Sequence, residues 1–200
     1  MTMTQKTAPL KFYFNFRSIY CYLSSKRMFD IVDDFHVEMV WRPLGGWDGR
    51  SPPERAKAKV PLARQDVARW AAKMGIPFVP PPPTTDPTNA AAGSLLAERE
   101  GLLRPYITEV MRAEWAFGRD IGDRQLLKSI GADIGLDPAA LESSFDDARN
   151  HAALKANWEE AQADGVIGVP SFVIGSEIFW GNDRIDFVTD HLKELRLARL

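Results

Sequence analysis

A chain of 200 residues, 45% of them hydrophobic, is long enough for one large domain or for a small domain carrying a sizeable insertion, with a core that needs no covalent staples. A formal net charge of −2 with 26% charged residues excludes a basic nucleic-acid footprint and an acidic tail, and turns attention to small molecules. The single cysteine, Cys21, excludes an internal disulfide and a CxxC redox pair within one chain. No run of about 18 apolar residues occurs, and the first ten residues lack the apolar stretch of a secretory signal, so a cytoplasmic protein without membrane contact is expected. His36, His151 and His191 lie far apart with no ligand-like spacing, so no metal is expected.

The aromatic run Lys11 to Phe16 ends at Arg17-Ser18 and is followed by a helical stretch from Ile19 to about Val32, which reads as strand, turn, helix. Val37 to Trp41 alternates, is β-branched and stops at Arg42-Pro43-Leu44-Gly45-Gly46, which completes a βαβ unit with parallel strands. From Ser51 the character changes. Ser51-Pro52-Pro53-Glu54 combines a capping-box pattern with proline at the first helical position, and Leu62 to Met74 carries helical spacing up to Gly75. After the rigid run Pro80 to Pro83, helices are expected over 90–99, 103–117, 126–134 behind Asp123, 139–148 behind Asp137-Pro138, and 151–163. Ser171 to Ile174, the turn Gly175-Ser176 and Glu177 to Trp180 form a hairpin pattern, and a last helix runs from Ile185 to about Leu195. The order is βαβ, a block of helices, then αββα.

Ser18 stands where a buried strand hands over to a helix N-terminus, beside unsatisfied N–H groups that welcome an anion and lower the pKa of a thiol bound there. Taken alone, it reads as a plain N-cap. Ser18-Ile19-Tyr20-Cys21 is a CxxC spacing with a hydroxyl in place of the first thiol, so Cys21 could form at most a mixed disulfide, or serve as a small buried apolar residue. Val169-Pro170 precedes a strand; a cis bond there would let the Val169 backbone pair with an extended ligand. Asn182 and Asp183 either cap the last helix or hold the charged end of a ligand. Arg50 and Lys59 are candidate carboxylate holders or solvated charges, and Trp47, Phe78, Trp115, Phe179 and Trp180 either line an apolar pocket or belong to the core.

Phe12 to Cys21 resembles the opening of 2-hydroxychromene-2-carboxylate isomerases and kappa-class glutathione transferases, and Gly165 to Val173 with Phe179-Trp180-Gly181-Asn182-Asp183-Arg184 is similar to that family's cis-proline loop and glutathione-binding turn. The likeness continues through Trp41-Arg42-Pro43, Pro52-Pro53, Lys59, Asp66 and Arg69-Trp70, and so covers nearly all of Lys11 to Leu192. It implies an α/β fold: a thioredoxin-like domain (8–50 and 149–197) with an all-helical insertion (51–148), the DsbA-like architecture. It also implies glutathione, or another small thiol, as cofactor. By this likeness Ser18 contacts the sulfur, Val169 with Pro170 pairs with the cysteinyl backbone, Asn182 and Asp183 hold the γ-glutamyl end, and Tyr20, Arg50 and Lys59 complete the binding residues. The implied protein is a homodimeric isomerase, or a kappa-type transferase, acting on a small aromatic substrate. Three positions depart from the pattern: Ile19 replaces a usual proline, Arg50 a common asparagine, and Cys21 a frequent serine. A DsbA-like thiol-disulfide oxidoreductase using Cys21 and a non-catalytic thioredoxin-fold binding module stand as alternatives.

Overall fold

The computed structural model describes residues 7–51 and 53–199. Pro52, part of the expected capping box, lies outside the described residues. β1 spans Ala8–Phe14, β2 Val37–Pro43, β3 Ser171–Ile174 and β4 Glu177–Trp180, and they form one sheet in the order β2-β1-β3-β4. β1 runs parallel to β2, with Phe12 opposite Trp41, and antiparallel to β3, with Phe12 opposite Phe172. β3 and β4 are the expected hairpin, joined at Gly175-Ser176.

β1 reads as a near-continuous aromatic run because both its faces are covered: Leu10, Phe12, Tyr13 and Phe14 are all buried. The Phe12 ring lies 4.6 Å from that of Phe172 and meets Trp41 edge-on at 5.8 Å, so the pairs opposite each other in the ladder also pack against each other. The alternate side chains of β1 tie down a helix. Lys11 Nζ lies 2.8 Å from Glu160 and 2.7 Å from Asp164, the Tyr13 hydroxyl donates to Asp164 at 2.6 Å, and Arg42 Nε donates to Glu160 at 2.6 Å.

Helices α1 (Ile19–Ser24) and α2 (Met28–Asp34) occupy the stretch expected as one helix. The break follows from local competition for carbonyls. The Ser25 hydroxyl donates to Tyr22 O, and Lys26 and Arg27 N–H turn to the carbonyls three residues back, which closes α1 early. β1 begins at Ala8, before the aromatic run, and ends at Phe14, because Asn15 leaves the ladder to bond Gly46, Asp48 and Arg17.

The remaining helices are α3 (Pro53–Met74), α4 (Thr88–Arg99), α5 (Leu103–Phe117), α6 (Arg124–Asp133), α7 (Pro138–Phe145), α8 (Ala148–Ala163) and α9 (Ile185–Glu194). α3 is continuous through Pro61, which sits on an exposed face. α7 stops at Phe145 and α8 starts at Ala148, where the expectation put a boundary between 148 and 151. Asp147 decides the matter by accepting from Arg149 N at 2.8 Å as an N-cap. Asp123 and Asp137 cap α6 and α7 as their sequence positions imply. Among the described residues no helix is long and apolar enough to cross a membrane, and no group of three or more His, Cys, Asp or Glu is arranged to hold a metal ion.

Candidate functional site

The sheet order brings the turn after β1 against the loop before β3. Ser18 occupies the N-cap position of α1 with φ −95° and ψ 115°, yet its side chain caps nothing; the hydroxyl instead donates to Val169 O at 3.3 Å. The Val169-Pro170 bond is cis. Pro170 O accepts from Gly181 N at 3.0 Å, so the same loop holds the segment leading out of β4. Ser171 Oγ donates to Gly168 O at 2.7 Å and closes the loop on itself.

A third segment, Leu44–Ser51, completes the convergence. Asn15 is fully buried; its Nδ2 donates to Gly46 O at 3.3 Å and Asp48 O at 3.1 Å, and its Oδ1 accepts from Arg17 N at 2.9 Å. Gly49 has φ +69°, and a Cβ added there would stand 2.7 Å from Leu44 Cδ1 and 2.9 Å from Val169 Cγ1. Glycine is required both by the backbone region and by the closeness of the Val169 loop.

Cys21 lies one helical turn beyond Ser18 and is completely buried. Burial pushes its thiol up to about 12, against smaller opposing effects of hydrogen bonds with the Ser18 side chain and the Asn15 backbone. Such a thiol is protonated and inert near neutral pH.

Asn182, Asp183 and Arg184 form one 3-10 turn between β4 and α9, and neither this turn nor α9 is capped by a side chain. Asp183 is exposed and lies 3.3 Å from Arg184 Nη2. Across from it, the Tyr20 hydroxyl donates to Asp66 Oδ2 of α3 at 3.1 Å. Burial, then the charge and hydrogen bond of Asp66, then the charge of Asp183 push Tyr20 up to about 12, so its hydroxyl is a donor between two acids.

Arg50 is drawn to protein partners. It lies 4.0 Å above the Trp47 ring and donates from Nη1 to Gly46 O at 3.4 Å. Burial, then the nearby Arg17 charge, pulls it down to about 10. Lys59 is on the exposed face of α3 and donates to Ser51 Oγ at 3.3 Å. The structure thus brings Ser18 into direct contact with Val169, the residue bonded to Pro170, sets Tyr20 and Asp183 within electrostatic reach of each other, and leaves Arg50 and Lys59 engaged along the 44–51 loop and α3.

Among the aromatic candidates, Trp115 is buried and stacks with Phe78 at 6.3 Å, whereas Trp47 and Trp180 are about half exposed. Trp180 passes close over the loop, since a Cβ on Gly168 would be 2.8 Å from Trp180 Nε1.

Sequence reading passed over Asn15, Arg17 and Glu114. Arg17 Nη1 donates to Glu114 Oε1 at 3.2 Å, and Glu114 has no exposed surface. A signal existed: Glu114 follows Ile107, Val110 and Met111 at helical spacing, a carboxylate on the apolar face of α5.

Residues 9–193 match the model of the DSBA-like thioredoxin domain. A curated relative, the 2-hydroxychromene-2-carboxylate isomerase of Sphingobium xenophagum, is 29% identical over 196 residues, covering 93% of this chain and 98% of its own. A solved structure of a 2-hydroxychromene-2-carboxylate isomerase superposes with a TM-score of 0.81 at 24% identity, over 94% of this chain and 95% of that one. The cytosolic disulfide reductase DsbM from Pseudomonas aeruginosa, solved with GSH, has a TM-score of 0.72 at 18% identity over 94% of this chain and 100% of that one. With 185 consecutive residues matched out of 200, from β1 to α9, the chain belongs to the family of DSBA-like thioredoxin domains.

Proposed function

We propose that this protein is a glutathione-dependent isomerase of aromatic catabolism, acting on a substrate of the 2-hydroxychromene-2-carboxylate kind. The observation that carries the reading is the contrast between Ser18 and Cys21. The hydroxyl in the first CxxC position is spent on no cap and points to the cis-proline loop, while the thiol in the last position is buried and pushed up to about 12. A redox role through Cys21 is disfavoured by that burial. The names of the curated relative and of the superposed isomerase support the reaction class, and the DsbM structure with GSH supports the thiol.

In this reading Ser18 donates its hydroxyl hydrogen bond to the bound sulfur and so favours the thiolate. Val169 offers its backbone to the cysteinyl unit beside Pro170. Asp183, exposed and uninvolved in capping, takes the α-ammonium group while Asn182 takes the adjoining polar end; Tyr20 stands beside them as a donor. Arg50 and Lys59 flank the loop as cations for a carboxylate. Glutathione, when bound, supplies a thiolate that adds reversibly to an unsaturated carbon and leaves unchanged, so that the isomerisation needs no net redox step. We further assign residues 8–50 and 149–197 to a thioredoxin-like unit and 51–148 to a helical insertion that shapes the aromatic pocket. The same reading makes the protein a cytoplasmic homodimer.

Calorimetry with reduced glutathione tests the proposal. The wild type should bind saturably, and Asp183→Ala should weaken binding about 10- to 100-fold, the loss of one charge-assisted contact. No heat of binding at millimolar glutathione would sink it. Binding followed by conjugation of aryl electrophiles without isomerisation would shift the assignment to a kappa-type transferase.

A further inference from the structure

Two consecutive residues of α5 reach the two residues that precede Ser18. The Trp115 indole donates to Phe16 O at 2.9 Å, and Glu114 accepts from Arg17. The Arg17 guanidinium also donates from Nη2 to Pro82 O at 2.8 Å and lies 5.3 Å from the centroid of the Trp115 ring system. The turn is therefore held residue by residue: Asn15 by the Leu44–Ser51 loop, Phe16 and Arg17 by α5, Ser18 by the Val169 carbonyl.

The Arg17–Glu114 pair is a poor device for stability. The Glu114 side chain has no exposure and that of Arg17 has 10%, so both charges are taken out of water. Glu114 Oε2 and Arg17 Nε are buried with no hydrogen-bond partner among the described residues. A desolvated, half-satisfied pair stabilises less than apolar packing of the same shape would, and its use is better sought in what it orients.

We propose that Glu114 is a positioning residue for Ser18, acting through Arg17 to set the turn from which the hydroxyl projects. The inference builds on the role given to Ser18 above. It also makes the setting dependent on pH. Burial pushes Glu114 up to about 8, over the opposing charges of Arg17 from the turn and Arg50 from the Leu44–Ser51 loop, with Asp120, in the segment after α5, adding to the rise. Asp86 acts on Arg50 in turn. Above that pH the Arg17 contact is charge-assisted at both ends; below it the carboxyl is neutral and its grip on Arg17 loosens. Tyr20 and Cys21, both near 12, and Arg50, near 10, have midpoints above that of Glu114.

The test is the backbone amide signal of Ser18 in ligand-free protein, followed by NMR between about pH 6.5 and 9, below the Arg50 range. In the wild type it should move with a single midpoint near that of Glu114, and in Glu114→Gln the step should vanish. In turnover, Glu114→Gln should lower kcat about tenfold with KM within about twofold, and it should remove the same step from the kcat profile. Should Glu114→Gln fail to fold, Arg17→Gln reports the coupling from the other end and should also abolish the step. A Ser18 signal that does not titrate, or that titrates unchanged in either variant, overturns the inference. Because the signal is read without ligand, this outcome is separate from a failure to bind glutathione, which would remove the functional reading alone.

Discussion

The Ser18 hydroxyl donates to the Val169 carbonyl at 3.3 Å, a bond between residues 151 positions apart in the chain. At that length and to a neutral acceptor it contributes on the order of 1 kcal/mol, so Ser18→Ala should unfold at nearly the wild-type temperature. Its effect should fall on chemistry. On the proposed reading glutathione should still bind through its γ-glutamyl end, its thiol should lose a donor, and turnover should drop about 10²- to 10³-fold. Thiolate absorbance of the bound cofactor against pH, paired with kcat, checks both halves. Ser18→Cys restores two thiols at CxxC spacing and should gain insulin-reductase activity that the wild type lacks.

Cys21 should be silent. Complete burial and a thiol pushed up to about 12 predict no reaction with Ellman's reagent in the native protein and one equivalent after unfolding. Cys21→Ala should retain isomerase turnover and lose only about 1 kcal/mol of stability, from the small cavity left beside Ser18. Loss of activity in Cys21→Ala would instead favour thiol exchange.

The cluster of Lys11, Arg42, Glu160 and Asp164 predicts the shape of the stability curve. Burial opposes ionisation of Glu160 and Asp164, but hydrogen bonds from Arg42 to Glu160, from Tyr13 to Asp164 and from Lys11 to both outweigh it and hold both carboxyls below their usual range. Their contribution is present above the ordinary carboxylate pKa and is lost as pH falls through the depressed values. For Lys11 burial pulls down, yet the two acids raise it above 10.5, so its contribution is intact below that value and is lost only at higher pH. The cluster's contribution to thermal stability should therefore show a plateau through neutrality and a fall on acidification, superposed on the opposite trend of Glu114, whose raised value makes the fold lose stability as pH climbs from the ordinary carboxylate range to about 8. Lys11→Met should lower the plateau by up to about 1 kcal/mol and make the acid limb shallower.

Gly49 and Gly75 separate backbone conformation from crowding. Both have positive φ, but a Cβ on Gly75 meets nothing within 4 Å, whereas one on Gly49 collides with Leu44 and Val169. Gly75→Ala should cost about 1 kcal/mol and leave glutathione affinity unchanged. Gly49→Ala should cost more and also weaken binding, because one of the two side chains that must give way, Val169, belongs to the loop that Ser18 contacts. Equal affinities in the two variants would show that the Val169 loop is not held from this side.

The sheet was legible in the sequence because its strands carry strong local signals: the aromatic run of β1, the β-branched β2 and the Gly175-Ser176 turn. Helix interruptions were less so. Ser25 and Asp147 end or begin helices through single side-chain hydrogen bonds, and a window of hydrophobic spacing averages over them. For the site, Ser18 and the Val169-Pro170 loop announced themselves by type and position. Asn15 and Arg17 did not, because their roles lie in bonds to Gly46, Asp48, Glu114 and Pro82, at least 31 residues away. Glu114 left a trace in the apolar register of α5, but its partner could not be read from spacing.

The position of β1 in the sheet has a consequence for how the molecule comes into being on the ribosome. β2, its parallel neighbour, emerges about 25 residues after it, but β3, which covers its other edge, emerges only after residue 170. Until then the most aromatic strand of the chain has one unpaired edge, the kind of surface that recruits other chains. A nascent polypeptide stopped before Val169 carries Ser18 without its carbonyl partner, and the short stretch from Val169 to Trp180 completes the sheet and the Ser18–Val169 contact together.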